Sequence, residues 1–343
     1  MQKITGIGFC VVLLAGLLNT DPAQSSDYEK RFRPFLTRGE LTLSINSGLR
    51  QDSYDLSFGG NSKYTAKNVW FADFKGKARY EEPADLFFVK GAFHAEAEVN
   101  GGFALGGKIN EVRSGTETDA TSNGPGGDAV GIGGAIGYRI NLTGTPAINA
   151  RNIGKYYRPK TARDASRKQR AIQNELNNAG PYISVTPLIG YSLQQQTYNV
   201  QKTFKNADDT KTDFTYDHIT NWYGPYVGIE NEIKTRKNML RLRGEYHDLD
   251  FYGEEQRTYK TDDNVVTAPD FEHSGATGYG LLLGAEYSYA LSESSVLGAE
   301  LNYKKRHASG GVSKSPTLGD FDLNEVNDQS RAFYLNYRYY FDY

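Results

Sequence analysis

Cysteine is nearly absent: 343 residues hold one, Cys10, inside the apolar run from Ile4 to Leu18. Disulfides and thiolate metal centres are therefore excluded from the chain beyond that run. Long hydrophobic runs are missing as well. Past residue 20 no apolar stretch is long enough to cross a bilayer as a helix, and a mean hydropathy of −0.60 is too polar for a bundle of such helices. Charge of one sign is also lacking. Lys and Arg number 39 against 41 Asp and Glu, a net charge of −2, so no nucleic-acid partner is expected. The histidines at 94, 218, 247, 273 and 307 have no ligand spacing, and neither a metal nor a cofactor is expected. Residues 102–108, GFALGGK, have the glycines of a phosphate loop but not its strand–helix setting.

What is abundant is aromatic and alternating. Tyr 25, Phe 17 and Gly 37 suit a β protein with aromatic girdles and many turns. The terminal stretch AFYLNYRYYFDY, 332–343, alternates without a slip. Phe333, Leu335, Tyr337, Tyr339, Phe341 and Tyr343 share one face, and Asn336, Arg338 and Asp342 the other. Period two means a strand, because successive side chains leave opposite sides of the pleat.

Nine more stretches read the same way. Leu41, Leu43, Ile45 and Leu49 mark the first; Trp70 to Tyr80 the second, ended by a turn at Glu81-Glu82-Pro83; Phe87 to Val99 the third; Val130 to Ile140 the fourth. The fifth runs through Ile183, Ile189 and Leu193, with Pro187 on its apolar face at a bulge or weakly paired site. Trp222–Ile233, Leu240–Tyr246, Tyr279–Tyr289 and Leu297–Tyr303 precede the terminal strand, and Trp222 and Tyr223 read as interface girdle residues. Long polar connections are expected after the odd-numbered strands, and short ones after the second, sixth and eighth. Even strand count with this alternation predicts a transmembrane barrel.

The polar faces fix which way that barrel points. Glu96, Glu98, Arg139, Glu230, Glu232, Arg241, Arg243, Glu245, His247, Glu286, Glu300, Lys304, Arg306 and Arg338 fall opposite the apolar faces. An Arg or Lys facing mid-bilayer costs about 2–4 kcal/mol. The set therefore belongs in a lumen, where opposite signs pair, and ten strands leave an interior narrow enough for a packed ion network rather than a pore.

Two segments stand apart. Lys3, the run 4–18 and Ala23-Gln24-Ser25 form a Sec signal peptide, residues 1–25, leaving 26–343 as the barrel. Residues 151–180, rich in Arg and Lys and with a helical pattern at 161–178 (TARDASRKQRAIQNELNN), are predicted as a helical periplasmic insertion able to meet anionic headgroups or an acidic partner.

The closing residues Tyr337, Tyr339, Phe341 and Tyr343 resemble the C-terminal assembly signal of bacterial outer-membrane barrels, which implies the barrel assembly machinery as a partner during biogenesis. KYTAKNVWFADFKG (63–76), GGAIGYRI (133–140), ISVTPLIGYSLQQQTYNV (183–200) and WYGPYVGIENEI (222–233) together resemble the omptin family of ten-stranded outer-membrane proteases. They are closer still to the omptin-like barrels of the Protochlamydia-type outer membrane protein family. Omptin chemistry needs an aspartate pair above the third strand and an Asp-x-His dyad above the seventh. Glu117 and Asp119, then Asp270 and His273, are the nearest candidates; the dyad is absent, and these four read as solvated loop residues.

The expected protein is thus all-β, a single ten-stranded antiparallel transmembrane barrel with one helical periplasmic insertion. Its place is the cell outer membrane after Sec export, with lipid and lipopolysaccharide around it. A non-enzymatic structural, adhesive or narrow-porin role leads, and an omptin-like endopeptidase is the alternative.

Overall fold

The computed structural model describes residues 40–59, 62–86, 89–113, 116–123, 126–143, 181–205, 211–235, 238–261, 264–291, 295–316 and 319–341. The predicted signal peptide 1–25, the insertion 151–180, Phe87 and Tyr343 lie outside them. Every described element is a strand: β1 Glu40–Phe58, β2 Ser62–Leu86, β3 Val89–Arg113, β4 Thr116–Asn123, β5 Gly126–Asn141, β6 Tyr182–Lys205, β7 Lys211–Lys234, β8 Asn238–Thr261, β9 Asn264–Ala290, β10 Ser295–Ser309, β11 Val312–Ser315 and β12 Gly319–Phe341.

Ten of these close a ring in the order β1-β2-β3-β5-β6-β7-β8-β9-β10-β12, antiparallel throughout. β1 and β12 make the closing seam, from Leu41↔Phe341 up to Phe58↔Leu323. β4 pairs only with β3, and β11 fills the wall between β9 and β12 above the end of β10. Gly310 and Gly311, at φ +73° and +96°, make the kink that separates β10 from β11, a conformation other residues rarely adopt. The expected weak point at Pro187 is visible in the ladder: β5 and β6 pair up to Gly137↔Leu188 and resume only at Ile140↔Val185.

The strands run well past their predicted ends. β2 continues through Glu81-Glu82-Pro83 to Leu86, so the turn expected there is strand, and three residues separate β1 from β2 where a long polar loop was expected. A strand of 25 residues, such as β2, extends for about 80 Å along its axis.

Each strand also reverses its chemistry partway along. On the lower half of β1, Ile45 and Leu49 point outward and Asn46 and Arg50 inward; higher up, Ser53 and Asp55 point outward and Tyr54 and Leu56 inward. β12 repeats this, with Phe333, Leu335 and Tyr337 outside Asn336 and Arg338, then Asn327 and Gln329 outside Val326. The barrel consequently wears an apolar belt around its lower half, typified by Ile136 at 64% exposure, Leu301 at 60% and Leu335 at 56%. Its upper half is polar outside and aromatic inside.

Candidate functional site

The lumen is where chemistry-bearing side chains converge. In the lower half each inward row carries charges because period two puts alternate residues inside. Arg79 on β2 reaches across to β7, with Nη2 2.6 Å from Glu230 Oε1 and Nη1 3.0 Å from Glu232 Oε1. Arg241 joins Glu232 and Glu286, each at 2.6 Å, and Arg338 also grips Glu286. Arg243 lies 2.5 Å from Glu96 and beside Glu245, which is 2.7 Å from His247 Nε2. Lys77 holds Glu96 at 2.8 Å, while His94 spans Glu81 and Glu96 at 3.3 Å each. Arg139 pairs with Glu81, and Lys75 meets Glu300 at 2.7 Å and Glu98 at 3.8 Å.

Of the charged residues placed opposite the apolar faces, all but Lys304 are in ionic contact in the lumen; Lys304 instead donates to Gln194 Oε1. Lys75, Lys77, Arg79 and His94 join the network from the polar faces of predicted strands, and four further members come from stretches beyond the predicted strands. Glu81 was assigned to a turn, and Arg50, Asp52 and Asp328 to polar connections. In the structure Arg50 Nε is 3.1 Å from Asp52 and Arg306 Nη2 is 2.6 Å from Asp328. The signal was present, because the alternation runs on through all four. A buried ion cluster of this kind holds together only when nearly every charge is paired, since an unpaired charge in low dielectric is costly. A cavity of about 210 Å3 threads the cluster, reaching from Thr42 and Tyr340 up to Trp222 and Leu249.

Above that level the interior is an aromatic core. Tyr54, Tyr64, Tyr198, Phe251, Phe271 and Trp222 are buried together. Trp222 was expected in an outer girdle; it faces inward instead at 2% exposure, against Phe251 and under the Arg306 guanidinium, 4.8 Å from its ring. It shares the inward row of β7 with Tyr226, Glu230 and Glu232, and that row turns from charged to aromatic in the upper half, which is why the girdle assignment failed.

Of the candidate protease residues, His273 is on β9 and fully buried, not in a solvated loop. Its Nδ1 is 2.8 Å from Ser313 Oγ, and its ring sits between Phe58 and Phe271. Burial pushes the imidazole down to about 4, with Glu255 opposing and His218 reinforcing that shift. His218 stacks on Tyr64 at 4.1 Å and has Glu255 3.5 Å from Nδ1. Asp270 is on the same strand and partly exposed. Glu117 and Asp119 fall on β4, where side chains lie outside the described residues. The histidine is thus directed into the core and bonded to a serine, away from any position at the mouth. No group of three or more His, Cys, Asp or Glu among the described residues could hold a metal.

With that geometry in view, the comparisons fit the barrel. Residues 172–340 match the family model described as "Pom: Protochlamydia outer membrane protein". The match covers just under half of the chain, and the ten-stranded antiparallel barrel is the fold that outer-membrane proteins share. The outer membrane protease OmpT from Escherichia coli superposes with a TM-score of 0.51 at 11% identity, over 89% of this chain and 98% of that one. The outer membrane protein OprG from Pseudomonas aeruginosa gives 0.30 at 11% identity, over 90% and 98%. The translocator domain of autotransporter NalP from Neisseria meningitidis gives 0.32 at 12% identity, over 97% and 94%. No curated protein sequence matches. At 11% identity the likeness to OmpT is one of fold alone.

Proposed function

We propose that this protein is an integral outer-membrane barrel that does not conduct, and whose role is structural or adhesive: a rigid wall holding a tall outer extension above the bilayer. The belt supports the membrane part. A transmembrane strand needs about 9–11 residues, and the apolar outer faces on β1, β9 and β12 supply runs of that order before turning polar. Lipid and lipopolysaccharide are the partners of that belt. Tyr337, Tyr339 and Phe341, which close the last strand on its outer face, serve as the assembly signal read during biogenesis.

The observation that carries the non-conducting reading is that the lumen is closed above the cavity. Salt bridges cross it below, Arg79 to Glu230 among them, and the core around Tyr54, Tyr198 and Phe251 closes it above. A narrow-porin role would need a continuous wet path, and the cavity ends beneath Trp222 and Leu249. An omptin-like endopeptidase is not favoured by any contact around His273.

Planar-bilayer recording of the purified, folded protein tests this. Silence under voltage is expected. Discrete, reproducible openings that persist after repurification would replace the scaffold reading with a channel.

A further inference from the structure

Two opposite walls of the barrel carry opposite surface charge just above the apolar belt. On β2 and β3, Lys67 and Lys108 are directly paired across the ladder and both are exposed. They sit above Trp70, Phe103 and Leu105, the last exposed hydrophobics on those strands. Lys63 beside them is occupied by Asp55 at 3.6 Å, whereas Lys67 and Lys108 form no ion pair among the described residues. On β8 and β9 the pattern is reversed. Glu254 pairs across the ladder with Glu272, and Asp248 and Asp250 follow below on the same outward row. Beneath them Tyr246 and Tyr279 stack at 6.3 Å as the upper rim of the belt. Lys314 lies on Glu272's rung but makes no ion pair among the described residues.

Like charges directly opposite each other on a sheet are unfavourable. The lysine pair has no ion partner among the described residues, and the acidic pair is offset by hydrogen bonding to Glu254, from Gln256 Nε2 at 2.8 Å, and by Lys314 on Glu272's rung. The ring order separates β2 from β8, and β3 from β9, by the same number of strands in either direction, so the two walls are diametrically opposed. A single copy cannot bring them together. Below the lysines the outer surface is hollowed, with Ala78, Ala95, Ala97 and Gly134 flooring a depression of about 620 Å3. Below the acids, Leu242, Leu283 and Tyr287 project. Charge and shape are complementary between one wall and the other.

We propose that the β2–β3 wall of one barrel docks on the β8–β9 wall of a second copy, Lys67 and Lys108 meeting Glu254 and Glu272. Such a contact is head-to-tail, and because its halves lie on opposite sides it propagates as a straight row rather than closing into a ring. This rests on the outer-membrane reading, which puts all copies in one plane at the same height. Exposed pairs of this kind are screened over about 8 Å at physiological salt, so the row weakens as salt is raised.

Zero-length carbodiimide crosslinking of the full-length protein in liposomes tests the contact, because Lys67 or Lys108 cannot reach Glu254 or Glu272 within one barrel. The expected result is a ladder of crosslinked multimers whose junction peptides join those lysines to those glutamates. The variant Lys67→Glu with Lys108→Glu loses the ladder, as does Glu254→Lys with Glu272→Lys. Combining all four reversals restores it, since the walls are again complementary. Uncrosslinked barrels, junctions between identical walls, or a silent fourfold variant would each overturn the proposal; so would lysines occupied by anionic lipid in place of a second copy. A protein that never enters the liposomes instead defeats the membrane reading underneath, and the heat-modifiable gel shift of folded barrels tells the two failures apart.

Discussion

Arg79 and Glu230 lie on β2 and β7, far apart around the ring, yet their side chains meet at 2.6 Å in the middle of the lumen. One guanidinium thereby ties two distant parts of the wall, and its second nitrogen holds Glu232 as well. Removing it leaves a buried cluster one cation short, with Glu230 held only by Arg241 and Arg243 and Glu232 by Arg241 and Lys234. Arg79→Ala is expected to cost about 3–5 kcal/mol, the usual penalty for breaking one side of a buried pair. The measurement is the urea midpoint of the folded, heat-modifiable band. A loss below about 1 kcal/mol would mean that water, not protein, was already solvating those glutamates.

The apolar belt makes a positional prediction. Ile136→Arg or Leu335→Arg, both at strongly exposed outer positions in the lower half, should each destabilise the bilayer-inserted barrel by about 2–4 kcal/mol. Gln329→Arg, on the same outward row of β12 as Leu335 but above the reversal, should change stability by less than about 0.5 kcal/mol. Equal costs at both levels, measured by reversible unfolding in lipid, would remove the boundary that the reversal marks.

Much of the lower half was legible in the sequence, for a simple reason. There the greasy face and the charged face keep their sides for a full bilayer crossing, so period two yields strand and orientation together. Arg241, Arg243, Glu245 and His247 on β8 are the clearest case. The upper half was not legible because alternation does not say which face is outside. Once Ser53 and Asp55 replace Ile45 and Leu49 outward, the pattern resembles a polar loop, although Tyr54 and Leu56 still alternate with them inside. The same inversion misdirected Trp222 to a girdle and His273 to solvent.

His273 gives the upper half a pH dependence. Its pKa is pushed down to about 4 in the fold, chiefly by burial, against about 6.5 in the unfolded chain. Above pH 6.5 both states are neutral and the full stability is present. As pH falls towards 4 the unfolded chain takes up a proton that the folded one refuses, so stability drops by at most about 3 kcal/mol and then levels off. Protease nicking within the outer strands, followed from pH 7 to 4, should rise over that window while the belt region stays protected. His273→Phe should flatten the response, since Phe58 and Phe271 already provide an aromatic slot. An unchanged slope in that variant would assign the acid sensitivity elsewhere.

Trp222 and Tyr223 are neighbours on β7 with opposite fates, and they separate the inverted reading from the girdle reading. If Trp222 is the floor of the aromatic core, Trp222→Ala removes a fully packed indole and should cost about 3–5 kcal/mol. The same change also removes the ring beneath the Arg306 guanidinium, so some loss should survive even where the cavity refills. Tyr223→Ala acts on the outer face, where side chains are only partly covered, and should cost clearly less. A girdle residue would show the reverse order, with Trp222→Ala cheap in detergent and expensive only in lipid. Unfolding both variants in detergent and in liposomes distinguishes the two, because a core residue is indifferent to which amphiphile surrounds the barrel.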